Sequence, residues 1–269
     1  MCTSAEIDML SNVPILLYHS IAPFELSGVW IPKMRFEKQI RWLFKNHFSC
    51  IKPQKLFVDD PPPRPVVITF DDGYDNFYEN GLPVLLKYGF TATIFVVSHY
   101  VGKTNTWDAG VTRRTHMGWD KLREFPGLGF EIASHTDTHS DLTKLSRKEV
   151  RRELEFSKKT IEDKIGKPVE FLSYPFGRHS KFVRDCAKEL GYTACFSSNP
   201  FSRDRWAIGR MGVYIIDTMK EYRVKVHPQN KSLYKLEGIK TNVINSVSIG
   251  TPVWKSLIEK TIGNDEVWS

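Results

Sequence analysis

The sequence predicts an α/β fold on a mainly parallel sheet, closed or nearly closed into a (β/α) barrel, and three observations carry that prediction. Short β-rich apolar runs alternate with longer segments of helical period, the pattern of repeated βα units. Seven such runs occur with helical stretches between them, which suits a barrel better than an open doubly wound sheet. No Gly-x-Gly-x-x-Gly follows the first run, so the main positive sign of a dinucleotide site is missing.

The first strand is expected at residues 13–18, followed by a helix whose apolar face carries Phe36, Ile40, Leu43 and Phe44. Asp59-Asp60-Pro61-Pro62-Pro63-Arg64-Pro65 reads as a stiff surface entry into the second strand, residues 66–70. Leu82, Leu85 and Leu86 mark the next helical face, before strands at 91–97 and 129–133. Ser146 followed by Glu149 is a capping-box start for a long charged helix, which Gly166 and Pro168 close. The remaining strands are expected at 170–174, 193–197 and 207–214. After Asp217 a short helix runs to about Val226, and mixed polar sequence without a clear period continues to Ser269. The expected division is therefore a domain over residues 1–216 and an extension over 217–269 that packs on the barrel or contacts a partner.

At 269 residues, 41% hydrophobic and 26% charged, the chain has an ordinary globular composition with room for one large core. Its 38 basic and 31 acidic residues leave a formal charge of +7, which fits a solvated surface and is compatible with anionic headgroups or nucleotide sugars. No basic stripe interleaved with aromatics argues for nucleic acid. No apolar run approaches the ~18 residues of a membrane span, so no transmembrane segment is expected. The start lacks a basic region followed by an apolar stretch, and Cys2, Cys50, Cys186 and Cys195 form no Cys-x-x-Cys pair. The expected setting is reducing and cytoplasmic, with peripheral contact with a membrane left open. The oligomeric state is not specified by the sequence.

The chemistry begins at Val66 to Tyr74, Val-Val-Ile-Thr-Phe-Asp-Asp-Gly-Tyr, where a buried-looking strand ends in two adjacent carboxylates. Successive strand residues point to opposite sides, so Asp71 and Asp72 share a pocket only if the backbone is already turning. Gly73 permits that turn. Two such carboxylates repel, and one stable solution binds one to a cation while the other handles protons. Past the fourth strand, Ser134-His135-Thr136-Asp137-Thr138-His139 places two imidazoles four apart, a moderate metal-ligand signal. Both motifs follow strand ends, and in parallel barrels those ends share one face.

Thr69-Phe70-Asp71-Asp72-Gly73 and Ser134 to His139 resemble the first two signature motifs of the NodB-type polysaccharide deacetylases, carbohydrate esterase family 4. The resemblance covers roughly residues 13–213, and the two motifs in this order and spacing are highly specific. It implies a distorted (β/α)7 barrel that hydrolyses acetyl groups on sugars. It further implies that Asp72, His135 and His139 bind a divalent ion and that Asp71 is the general base. Zinc is the first expectation, and a two-His, one-Asp site also suits cobalt, nickel or iron.

Where the family's third motif usually has Arg-x-Pro-Tyr, this chain has Ser173-Tyr174-Pro175-Phe176-Gly177. Phe176 serves as well as tyrosine if the contribution is a backbone N–H toward the developing oxyanion. The lost arginine is replaced, by resemblance to the branch of poly-N-acetylglucosamine deacetylases, by one from a later strand, and Arg210 is the candidate. The family's late Leu-x-His motif is absent, and His227 in Val226-His227-Pro228 reads as a surface histidine. That same branch carries its acid histidine on the first strand, which here is His19 after Tyr18. Protonated His19 would then donate to the departing nitrogen, because an amine leaves poorly unless protonated.

Tyr174, Pro175, Phe176 and Trp206 are the expected substrate contacts, Trp206 as a sugar-stacking ring near the seventh strand. Trp30, Trp107 and Trp119 read as core, and His47, His99, His116 and His179 as surface or loop residues. The leading function is metal-dependent removal of N-acetyl groups from a sugar or polysaccharide. Two alternatives stand beside it. One is a deformylase or deacetylase of a lipid- or nucleotide-linked sugar in surface-polysaccharide synthesis. The other is a catalytically silent carbohydrate-binding protein, against which the retained base, ligands and acid argue.

Overall fold

The computed structural model describes residues 9–25, 29–58, 61–105 and 114–248; Trp107 lies outside them. Parallel strands β1 (Ile15–Tyr18), β5 (Pro65–Phe70), β6 (Thr93–Val96), β7 (Glu131–Ser134), β8 (Phe171–Ser173) and β9 (Ala194–Ser197) pair in sheet order β9-β8-β7-β6-β5-β1. The short strands β2 (Ser20–Ile21), β3 (Trp30–Ile31), β4 (Ser49–Cys50) and β10 (Arg203–Asp204) lie at the margins. The next stretch carries β11 (Ala207–Gly209) and β12 (Met211–Gly212). The first pairs in parallel with β9 and the second with β1, so both ends of the sheet meet on consecutive residues. Arg210 occupies the break between them. Six of the seven expected strands form within a residue or two of the expected span, and the seventh, expected unbroken over 207–214, is split into β11 and β12.

Alternation along the strands sorts the core into two layers. Ile15, Val67, Phe95, Ala133, Phe171, Ala194, Phe196 and Ile208 cluster on the inner side, while Leu16, Ile68, Ile94, Leu172 and Cys195 pack outward under the helices. Those helices bury one stripe each: Phe36, Ile40 and Leu43 on α1 (Lys33–Lys45), and Val150, Leu154, Ser157 and Ile161 on the helix at Arg147–Ile165. Phe44 and Leu86, placed on buried faces by their spacing, are exposed. The long helix starts as its sequence requires. Ser146 and Glu149 form the reciprocal capping box, and Gly166 ends it in the left-handed conformation at φ 73°.

The extension differs from expectation, because the tract read as aperiodic holds an 18-residue helix, Lys231–Ser248. Its inward positions include Gly238 and Thr241, while Leu233, Leu236, Ile239 and Val243 are exposed. The apolar residues recur at helical spacing, 3, 3 and 4 apart, but on the face turned to solvent, with Gly238 and Thr241 inward. A Cβ on Gly238 would meet the Phe201 ring at 2.4 Å, so the helix approaches the barrel closely at that point. Among the described residues no helix is long and apolar enough to cross a membrane.

Candidate active site

The inward parity of each strand carries past its C-terminal end to the residues of the site. Leu17 and His19, Thr69 and Asp71, Ala133 and His135, Phe171 and Ser173, and Ile208 and Arg210 are pairs two apart, and a strand repeats its facing every second residue. The upper members of those pairs, apart from Ser173, line one pocket of about 690 Å³ counted out to solvent, with Asp72, His139, Arg114, Phe176 and Asn245 around it. The strand-borne members lie at or just past the C-terminal ends of the parallel strands.

Asp71 is held by a fork. Arg210 donates from Nη1 to Oδ1 at 2.6 Å and from Nη2 to Oδ2 at 2.7 Å, both residues being buried. The Ser173 hydroxyl donates to Asp71 Oδ2 at 3.0 Å and accepts from Arg210 Nη2 at 2.7 Å. Arg210 also reaches Thr69 Oγ1 and the Ser197 carbonyl, and lies over the rings of Phe95 and Phe196. Burial pushes the Asp71 carboxyl up, but the Arg210 charge, with His135 and the hydrogen bonds from Arg210, outweighs it and holds the group well below the usual carboxylate range. Ser173, at the position where the family has its arginine, therefore completes the cage around the carboxylate.

Asp72, His135 and His139 each offer one ligand atom, and these atoms lie within 4.8 Å of one another. Both imidazole Nε2 atoms stand 3.5 Å from Asp72 Oδ1. His135 Nδ1 faces the Ser173 carbonyl at 2.8 Å, so Nδ1 carries the proton and the Nε2 lone pair points at the cluster. Burial pushes both imidazoles down, and the mutual repulsion of His135 and His139 adds to the effect at His139, so both are neutral and fit to bind a cation. Two nitrogens and one carboxylate oxygen, buried and convergent, match the donor set of a divalent transition metal.

Backbone strain concentrates here. Of the non-glycine residues with positive φ, Asp72, Thr136, His139 and Phe176 are all at the site. The His135 to His139 loop is held from the long helix by Glu153, whose Oε2 accepts from the Asp137 and Thr138 N–H groups and whose Oε1 accepts from the Thr138 hydroxyl. Sequence reasoning missed Glu153, although a signal existed: a carboxylate on the buried stripe of Val150, Leu154, Ser157 and Ile161.

His19 lies on the pocket wall, half-buried. Burial pushes its imidazole down to about 4, with Arg210, His135 and Arg114 adding and Asp71 opposing. The expected protonated imidazole is therefore neutral in the free chain, and a proton must reach it during turnover. Phe176 lines the pocket at φ 58° and its ring lies 4.8 Å from that of His139. Tyr174 borders the pocket, but its hydroxyl turns away to the Trp206 carbonyl at 2.9 Å. Pro175 is buried and is not on the pocket wall. Trp206 is corrected outright: it precedes β11, at the opposite end of the parallel strands, under Lys188. His116 is the second correction, since it is buried and its Nδ1 meets the Asp72 carbonyl at 2.8 Å. Its sequence neighbourhood lacks a metal-ligand spacing, and the contact arises only from tertiary folding. Asn245, from the C-terminal helix, also reaches the wall, accepting from Tyr214 Oη at 2.7 Å and donating to the Ser198 carbonyl at 3.2 Å.

Comparison with known proteins gives a consistent result. The family model described as polysaccharide deacetylase matches residues 59–195. The Bacillus subtilis protein YxkH is 30% identical over 223 residues, covering 81% of this chain and 72% of its own length. A poly-beta-1,6-N-acetyl-D-glucosamine N-deacetylase of Staphylococcus aureus is 29% identical over 195 residues, covering 67% of this chain and 65% of the relative. In fold, the chain superimposes on the Streptococcus pyogenes deacetylase PplD with a TM-score of 0.72 at 20% identity, covering 81% of this chain and 99% of that one. The structure of IcaB from Ammonifex degensii gives 0.67 at 20% identity, covering 81% and 97%.

Proposed function

The chain belongs to the polysaccharide deacetylase family, and on that premise we propose that it is a metal-dependent N-deacetylase acting on an N-acetylated sugar polymer. The observation that carries the reading is the pairing of two differently treated carboxylates: Asp71 caged by Arg210 and Ser173, and Asp72 facing two neutral imidazoles. A lectin has no need of a caged base beside such a cluster. The name of the staphylococcal relative supports poly-N-acetylglucosamine as the substrate class.

Asp72, His135 and His139 would hold the ion, zinc being our assignment. When bound, it supplies Lewis acidity toward the acyl oxygen and the attacking water. Asp71 takes the water's proton, and the Arg210 fork keeps that carboxylate ionised and aimed. We assign the Phe176 N–H to the developing oxyanion. His19 takes up a proton from solvent as negative charge develops beside it and delivers that proton to the departing nitrogen. Residues 1–216 form the catalytic unit in this reading, and the extension from 217 closes one wall of its pocket.

The test is acetate release from poly-N-acetylglucosamine fragments by chelator-treated protein before and after zinc is returned. Release that appears only with the ion supports the proposal. Formate release from an N-formyl sugar with no acetate release would move it to the deformylase alternative, and neither product at any ion concentration would refute it.

A further inference from the structure

The turn that separates the two carboxylates is built from two consecutive left-handed residues, Asp72 at φ 71° and Gly73 at φ 71°. Glycine adopts this conformation freely, whereas at Asp72 it persists only if the surroundings hold it. Three neighbouring anchors among the described residues are backbone to backbone. The Asp71 N–H donates to the Tyr18 carbonyl at 3.0 Å, the Met117 N–H to the Gly73 carbonyl at 3.0 Å, and the Asp75 N–H to the Thr115 carbonyl at 2.9 Å. A fourth is a side chain. His116 Nδ1 stands 2.8 Å from the Asp72 carbonyl oxygen, and because a carbonyl only accepts, the ring must carry its proton there.

His116 arrives from 44 residues downstream, on a segment bridged antiparallel to Tyr74. Its ring is 2% exposed, fixed between Tyr74 at 4.9 Å and Tyr100 at 5.7 Å between centroids. An imidazole so placed has no access to the acyl group of a substrate and is absent from the pocket wall. Its hydrogen bond to the site is made to the backbone of Asp72.

We propose that His116 is a positioning residue for the metal site: by holding the Asp72 carbonyl it fixes the left-handed turn that presents the Asp72 carboxylate to His135 and His139. The inference rests on the assignment of those three residues as ligands. Without the bond the Asp72 peptide is free to relax toward the extended region, which rotates its carboxylate away from both imidazoles. Outer partners of ligands commonly change metal affinity by about 10–100-fold when removed.

The experiment compares zinc affinity, by competition with a chromophoric chelator, in the wild type and in His116→Phe, His116→Asn and Asp72→Ala. Phenylalanine keeps a ring between the tyrosines and removes the donor. Asparagine loses the ring but places an amide N–H on the same connectivity as Nδ1. The expected result is about 10–100-fold weaker binding for His116→Phe and restoration to within about threefold of wild type by His116→Asn. Equal affinity of His116→Phe and wild type, or equal weakening by both substitutions, overturns the proposal. If the phenylalanine variant does not fold, tenfold or greater weakening in the folded asparagine variant overturns it and affinity within threefold supports it. Asp72→Ala separates the two levels: undiminished zinc affinity there means that the ligand assignment itself has failed.

Discussion

At the scale of single residues, the site works by treating similar groups differently. Asp71 and Asp72 are adjacent, yet one is saturated by a guanidinium fork and the other faces imidazoles, and that difference is the basis of the roles we propose for them. Arg210→Lys keeps the charge but loses the bidentate geometry, so turnover should fall about 100-fold with KM and zinc affinity changed only a few-fold. Arg210→Ala strands a buried carboxylate and should lower unfolding free energy by about 3–5 kcal/mol, measured by denaturant titration of the metal-free protein. For His19→Ala, zinc affinity should be preserved while turnover of an N-acetyl substrate drops by about 10²–10⁴-fold. An activated acetyl ester, whose leaving group needs no proton, should lose far less. Equal losses on both substrates would remove His19 from the acid role. The residues legible in the sequence were those whose chemistry is stated by adjacency, such as Asp71-Asp72 and the His135/His139 spacing. Arg210 became legible only through resemblance, because it lies 139 residues from its partner. Glu153 and His116 act on backbone groups across tertiary contacts, which no spacing along the chain encodes.

At the scale of elements, strand parity is the device that builds the pocket. A period of two carries inward facing from Thr69 to Asp71 and from Ile208 to Arg210, so strands made for a barrel interior deliver polar groups to its mouth without special loops. Where parity ends, left-handed residues take over, and the Phe176-Gly177 turn after β8 is the tightest case. Gly177 has φ 67°, and a Cβ there would lie 1.9 Å from Ser198 Oγ and 2.7 Å from Ser198 N. Gly177→Ala should therefore push the turn off β9, displacing Phe176 from the pocket wall. We expect unfolding free energy lower by about 1–3 kcal/mol and turnover lower by at least tenfold, with zinc affinity preserved because no ligand is on this turn. Strands were legible because their apolar runs are short and bounded. Trp206 was misplaced because nearness to a strand does not say which end of it a residue occupies.

At the scale of the whole molecule, the extension is fastened to the barrel by buried charge, while the apolar stripe of its helix faces solvent. Asp217 and Lys225 are both fully buried and paired at 2.5 Å; Lys225 also donates to the Gly212 carbonyl at 2.7 Å, and Lys240 reaches Asp217 Oδ1 at 2.6 Å. The Asp217 carboxylate further accepts from the Tyr214 N–H at 2.8 Å, joining the last strand, the short helix and the C-terminal helix at one point. From there the C-terminal helix carries Asn245 to the pocket wall. Removing one partner of such a pair is far worse than removing both, because a lone buried charge keeps its desolvation penalty without its attraction. Asp217→Ala should therefore cost about 3–5 kcal/mol of unfolding free energy and loosen the helix, lowering activity on polymer while Asp72, His135 and His139 keep their zinc affinity. Adding Lys225→Met removes the buried ammonium, left with the Gly212 carbonyl and the more distant Glu237 at 3.5 Å, and should recover at least half of that loss, a non-additivity that a double-mutant cycle measures directly. Strictly additive effects, or a cost below about 1 kcal/mol for Asp217→Ala, would mean that the extension is held by its apolar contacts instead.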